Sequence, residues 1–202
     1  FIDDLYQMIV KSTNLYAIQN HQKFTLTTTQ ELKTFVGIHI LMGNLHYPRV
    51  QFYWDSKHSV RIPIPLWWTM CLYNRFIKLR HNLHFVDISK RDEGSTDRFW
   101  KIRSLYQIMR ARCLSLPLKM EMCIHEQMVP FKSRLNVKQY VKNKPHSRGI
   151  KILALCGRNG ILYEFLIYQG ATTELDPLEM EVFGLDAVVF HLSQRITEKN
   201  VS

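Results

Sequence analysis

The sequence predicts a mixed α+β or α/β chain: helices over 1–117, then three antiparallel strands and a helix over 118–202. Three observations carry that reading. Apolar residues before Pro117 recur at helical spacing, and Met122 and Ile124 alternate with Cys123 and His125 in the period-two pattern of a half-buried strand. Asn159-Gly160 separates two dense apolar runs, which is a hairpin signal because both residue types tolerate positive φ. The 202 residues are enough to bury a core, and 46% hydrophobic with 22% charged residues is a globular balance that argues against disorder.

Taken in order, residues 1–20 read as an amphipathic helix, with Leu5, Met8, Ile9, Leu15, Tyr16 and Ile18 near one spacing. Thr28 with Glu31 three residues on fits a capping box, and Leu32, Phe35, Val36 and Ile40 continue an apolar face until Gly43 stops the helix. Pro48, Pro63 and Pro65 bracket an irregular aromatic stretch, Phe52-Tyr53-Trp54-Asp55, and Trp67 and Trp68 follow it; Trp54, Trp67 and Trp68 are all expected in the core. Thr69 caps a helix with Leu72, Tyr73, Phe76 and Leu79 on its apolar face, within which His81 and His84 are packing or surface residues. After a polar loop over 87–97, Asp97 opens a helix that turns Ile102, Leu105, Ile108, Met109 and Cys113 inward and closes at Pro117. The first strand surrounds His125 and ends at Pro130, which has no N–H for the ladder. Residues 150–156 and 161–168 form the hairpin, and Ala187, Val188, Phe190, Leu192 and Ile196 suit a helix packed on the sheet.

No apolar run reaches the ~18 residues that span a bilayer, so no membrane partner is expected. The chain opens on Phe1 without a secretory signal pattern and is expected to be part of a longer protein. Cys71, Cys113, Cys123 and Cys156 lie far apart in apolar segments with no Cys-x-x-Cys pair; they read as buried thiols, not a disulfide framework or a zinc site. A formal net charge of +10 favours a polyanionic partner.

That charge has a focus. Between Glu126 and Glu164 there is no acidic residue, whereas Lys132, Arg134, Lys138, Lys142, Lys144, Arg148, Lys151 and Arg158 are cationic. Such a cluster holds phosphate through counterion release, with Arg134 able to grip bidentately and the lysines acting as point charges. Double-stranded DNA is the partner expected for Lys132, Arg134, Lys138, Lys142, Lys144 and Arg148. Tyr140 can stack on a base, but the plainer expectation is an aromatic that anchors the loop to the core.

The run His125-Glu126-Gln127-Met128-Val129-Pro130-Phe131-Lys132-Ser133-Arg134, followed by Lys138-Gln139-Tyr140 and Lys144-Pro145-His146, resembles the signature of piggyBac-type transposases, Asp-Glu-Gln-Met-(hydrophobic)-Pro-Phe-Lys-Gly-Arg. The first half is similar as well, at Thr13-Asn14, Glu31-Leu32, Phe35-Val36-Gly37, Tyr53-Trp54, Arg75-Phe76, Leu83-His84-Phe85 and Phe99-Trp100-Lys101-Ile102-Arg103. The resemblance implies a ribonuclease H-like domain over 118–202, incomplete here, preceded over 1–117 by a helical region used for homodimer contacts and transposon-end binding. It also implies a nuclear protein and, in active members, a DDE site in which three carboxylates hold Mg²⁺.

In this chain His125 stands where the family has its first Asp, and Ser202 comes before the segment where the resemblance places the other acids. Imidazole nitrogen suits zinc, copper or iron, while magnesium requires oxygen. Glu126 leaves the strand on the opposite face, and Glu121, Glu164 and Asp186 have no diagnostic spacing to His125. The expectation is therefore a transposase-derived nuclear DNA-binding protein without cutting activity, with no intact catalytic residue and no bound cofactor. An active cut-and-paste transposase in the full-length protein, or a domesticated protein-interaction module, are the alternatives.

Overall fold

The structure is a computed structural model that describes residues 2–21, 23–54, 71–91, 94–170, 173, 175 and 186–199, of which 197–199 as backbone only. The chain packs as two compact units, Phe1–Glu93 and Gly94–Ser202. Packing therefore divides the molecule earlier than the functional boundary expected at 117/118. Among the described residues no helix is long and apolar enough to cross a membrane.

In the first unit, helices α1 (Ile2–Gln19), α2 (Thr29–Leu45) and α3 (Tyr73–Asn82) surround a core of Ile9, Leu32, Phe35, Ile38, Tyr53, Trp54, Phe76 and Leu79. The inward stripe of α1 is Ile9, Thr13 and Ala17, while Ile18, expected inside, is exposed. Small side chains at the i and i+4 positions bring α1 close to its neighbours. Thr13 uses the space to bond His84, accepting from its N–H at 3.2 Å through the hydroxyl oxygen. His84 also stacks on Tyr16 at 3.5 Å between ring centroids, a packing role like the one expected. Thr28 caps α2 by accepting the Glu31 N–H at 3.2 Å.

Gly43 does not end α2. The helix runs two residues further, because packing of Met42 and Leu45 against the core outweighs the roughly 1 kcal/mol cost of a helical glycine, and His46 ends it in the left-handed conformation at φ 48°. Ile40, read as part of the inner face, is exposed. Trp54 lies in the core and donates its indole N–H to the Cys71 carbonyl at 2.8 Å. Pro63, Pro65, Trp67, Trp68 and the expected Thr69 cap lie outside the described residues. At Leu72, the cap position of α3, there is no side-chain hydrogen bond, and Leu72 itself is exposed.

The second unit opens with α4 (Trp100–Leu114). Asp97 organises its start without being the cap residue: its carboxylate accepts the Phe99 N–H at 2.8 Å and takes Arg103 Nε at 2.8 Å and an outer guanidinium nitrogen at 2.7 Å. Four strands follow, β1 (Met122–Pro130), β2 (Gln139–Tyr140), β3 (Arg148–Gly157) and β4 (Leu162–Ile167), and then α5 (Ala187–Lys199). The sheet holds the three strands expected plus the short β2. All pairings are antiparallel: β1 runs along nearly the whole of one edge of β3, so β2 and β4 share the other, at Arg148–Gly149 and at Ile152–Cys156.

Helix α4 covers one sheet face through Phe99, Tyr106, Ile150, Ile152, Phe165 and Ile167. Helix α5 covers the other through Val188 and Leu192, packed with Leu153, Leu155, Tyr163 and Leu166. The buried residues of α4 are Cys113, as expected, and Tyr106, whose ring meets Phe165 edge-on and whose hydroxyl donates to the Phe165 carbonyl at 3.3 Å; Met109, expected inward, is exposed. Phe190 of α5 is also exposed, although its spacing suits packing on the sheet. Residues 176–185, the beginning of the expected last helix, are outside the described residues. The β3–β4 turn uses positive φ only at Gly160 (77°), with Asn159 on the ordinary side, and closes through Gly160 N–H to the Gly157 carbonyl at 2.9 Å.

Candidate nucleic-acid interface and the His125 position

Alternation along β1 is as the sequence predicts. Met122, Ile124, Glu126 and Met128 are the more buried set, and Cys123, His125 and Gln127 are exposed. His125 lies opposite Ala154 on β3 and lines a cleft of about 430 Å³ together with Gln127, Lys144, His146, Ala154 and Cys156. Cys123 is exposed and Cys71 and Cys156 are half-buried, so of the four thiols expected in the interior only Cys113 is fully there.

The connection from β1 to β3 carries Lys132, Arg134, Lys138, Lys142 and Lys144, Arg148 opens β3 at its end, and the structure separates these six cations into different situations. Lys132, Arg134, Lys142 and Arg148 are exposed, and among the described residues none has a carboxylate partner. Lys138 is half-buried, with its ammonium 3.5 Å from the Phe131 carbonyl. Lys144 does not face outward: its ammonium lies 3.4 Å from both the Glu126 backbone carbonyl and the Glu126 carboxylate. Lys151 takes the second carboxylate oxygen at 3.0 Å, and the two lysines, Lys151 first, hold the Glu126 carboxyl below its usual range. Arg158 pairs with Glu121 at 2.9 Å.

Counting charges along the chain missed this neutralisation. Glu126 precedes the cationic run in sequence but returns to it in space, because Lys151 sits opposite Met128 and thus diagonal to Glu126 on one face of the β1–β3 pair. That diagonal is the signal a register-based reading would have used.

β2 shapes the rest of the surface. Tyr140 pairs in register with Arg148, whose guanidinium lies 5.7 Å from the ring centroid, and Tyr140 is 63% exposed. It does not anchor the connection to the core; buried Val137 does that, packed with Phe99 and Tyr106. The Val141 N–H donates to the Ser147 carbonyl at 2.8 Å and closes a tip over 142–146, in which Asn143 takes φ 67°. Lys132, Arg134, Lys142, the Tyr140/Arg148 pair and Lys138 thus belong to one connection that starts where β1 ends.

A family profile described as Transposase IS4 matches residues 1–202, the whole chain. The chain belongs to the piggyBac-type transposase family. Human "PiggyBac transposable element-derived protein 3" is 31% identical over 206 aligned residues, covering 98% of this chain and 32% of the relative. Human "PiggyBac transposable element-derived protein 2" is 33% identical over 198 residues, covering 94% and 31%. This piggyBac-type chain therefore spans about a third of the length of those relatives. A cryo-EM structure of a piggyBac transposase synaptic complex with hairpin DNA superposes with a TM-score of 0.78 at 24% identity, over 96% of this chain and 41% of that one. The shared fold is ribonuclease H-like.

The described residues of this piggyBac-type chain do not fit the magnesium of a DDE site. His125 offers nitrogen, Glu126 faces away from it and is held by two lysines, and no three His, Cys, Asp or Glu residues gather at one point among the described residues. Glu164 is interior: its carboxylate side chain is 4% exposed, pairs with Arg110 at 2.6 Å, and has His191 at 3.9 Å. That cluster joins α4, β4 and α5, and the sequence contains no spacing that announces it.

Proposed function

We propose that this chain is part of a transposase-derived nuclear protein that binds duplex DNA through the β1–β3 connection and does not cut it. The observation that carries the reading is that Lys132, Arg134, Lys142 and Arg148 are exposed on that connection, without carboxylate partners among the described residues, beside the open ring of Tyr140. A cation already matched to a carboxylate has little to gain from a phosphate, so Lys144 leaves the predicted contact set and becomes a brace that holds the tip against β1. Arg134 supplies two parallel donors to one phosphate, the lysines supply point charges, and Tyr140 offers a face on which an unpaired base can stack.

The inactivity rests on His125. Replacing the first carboxylate removes both a negative charge and an oxygen donor that a magnesium site of this class would need, and the imidazole of His125 supplies neither. Both halves of the proposal are tested on the intact protein. Binding to duplex DNA is measured against salt for the native protein and for Lys132→Glu with Arg134→Glu; each lost phosphate contact should lower the slope of log K against log salt by about 0.9. Binding that is indifferent to salt, or equal in the variant, assigns the surface to protein interaction instead. Cleavage of a piggyBac-type transposon end by the native protein in Mg²⁺ would overturn the inactivity.

A further inference from the structure

Cys123 of β1 and Cys156 of β3 lie directly opposite each other. The Arg158 N–H donates to the Glu121 carbonyl at 3.2 Å, which makes Glu121 and Arg158 a hydrogen-bonded antiparallel pair. Alternation two residues along makes Cys123 and Cys156 another such pair, with Cα atoms about 5.5 Å apart. That separation lies within the roughly 4.4–6.8 Å that a disulfide bridges, but the Cβ atoms of a hydrogen-bonded pair stand about 5.5 Å apart and must close to roughly 3.5–4.5 Å, so the bridge forms under strain and is readily reduced. Opposed residues project from the same face of the sheet, so the two sulfurs share a side. Burial first, and the neighbouring Cys123 second, push the Cys156 thiol up.

We propose that Cys123 and Cys156 are a redox-active dithiol that a hydroperoxide closes into a cross-strand disulfide. Cys123 is the exposed sulfur and meets the oxidant. Its thiolate attacks one peroxide oxygen, the O–O bond breaks, and Cys123 becomes a sulfenic acid with release of water, or of alcohol from an alkyl peroxide. The Cys156 sulfur then displaces the hydroxyl as a second water, so the two thiols lose two electrons and two protons and the peroxide is reduced. The bridge ties β1 to β3 beside His125 and removes a thiol from the wall of the cleft that His125 lines. Because it lies at the surface, a dithiol reductant reopens it. Cys113 is buried in α4, away from oxidant, and serves as an internal reference.

The test treats the intact reduced protein with graded hydrogen peroxide, labels the remaining thiols with a maleimide and maps peptides by mass. Cys123 and Cys156 should disappear from labelling together, a peptide linking them should appear, and dithiothreitol should restore both. Cys156→Ser should stop at a Cys123 sulfenic acid that dimedone traps, and Cys123→Ser should leave Cys156 labelled at the same peroxide dose. The proposal is overturned if Cys123 advances to sulfinic acid while Cys156 stays labelled, if Cys123 links to Cys123 of a second molecule, or if neither thiol is consumed. The mapping of the native protein decides the matter even if a serine variant folds poorly.

Discussion

At the scale of single residues, Gly149 lies opposite Pro130 where β1 leaves the ladder, in a space that admits no side chain. A Cβ there would stand 2.1 Å from the Val129 carbonyl oxygen and 2.8 Å from its carbon, both backbone atoms that cannot swing aside. Gly149→Ala should therefore destabilise the second unit by about 1–3 kcal/mol, read as a lower denaturant midpoint with an unchanged m-value. Glu31 sets a second expectation. Arg75 grips it bidentately, with both contacts at 2.6 Å, and this bond holds the Glu31 carboxyl below its ordinary value of 4.5. A depressed carboxylate contributes stability that is fully present above the unfolded-state pKa and is lost as pH falls through the folded one. The melting difference between native protein and Glu31→Gln should accordingly be largest near about pH 6 and shrink by about pH 3. A difference that stays constant on acidification would show that the pair contributes nothing pH-dependent.

At the scale of elements, local chemistry explains where helices and turns begin more fully than what they bury. The Thr28 hydroxyl is the cap of α2, and Thr28→Ala should cost about 1 kcal/mol in thermal unfolding, while Thr28→Ser should cost much less because it keeps the accepting oxygen. The β3–β4 hairpin was legible from Asn159-Gly160 because positive φ at Gly160 is a local requirement. Burial on α4 was less legible. Ile102, Leu105, Ile108 and Met109 satisfy helical spacing as well as Tyr106 does, and only the edge of the Phe165 ring and its carbonyl select Tyr106. The same holds for α1, where spacing favours Ile18 but the close approach at Thr13 and Ala17 turns Ile18 outward.

At the scale of the whole molecule, charge and packing point to different divisions. The net charge of +10 spreads over the entire sequence, but exposed cations without carboxylate partners among the described residues include Lys132, Arg134, Lys142 and Arg148 on one connection. If these four each hold a phosphate, log affinity for duplex DNA should fall with a slope of about −3.6 against log salt, a loss of roughly 150-fold between about 50 and 200 mM. Electrophoretic or anisotropy titrations across that range measure it. A slope near zero would remove DNA from the partners of this surface.

The sequence by itself determined the helices and the three long strands, the alternation that exposes His125, the hairpin, and the membership announced by the run from His125 to Arg134, since these depend on spacing and turn chemistry within a few residues. Only the tertiary structure decided that Glu126 neutralises Lys144 and Lys151, that Tyr140 stands open beside Arg148, that Glu164 is interior with Arg110, and that Cys123 faces Cys156. The physical reason is common to all four. Each depends on which side chains a sheet register or a helix packing brings within a few ångströms, and residues far apart along the chain carry no local mark of that meeting.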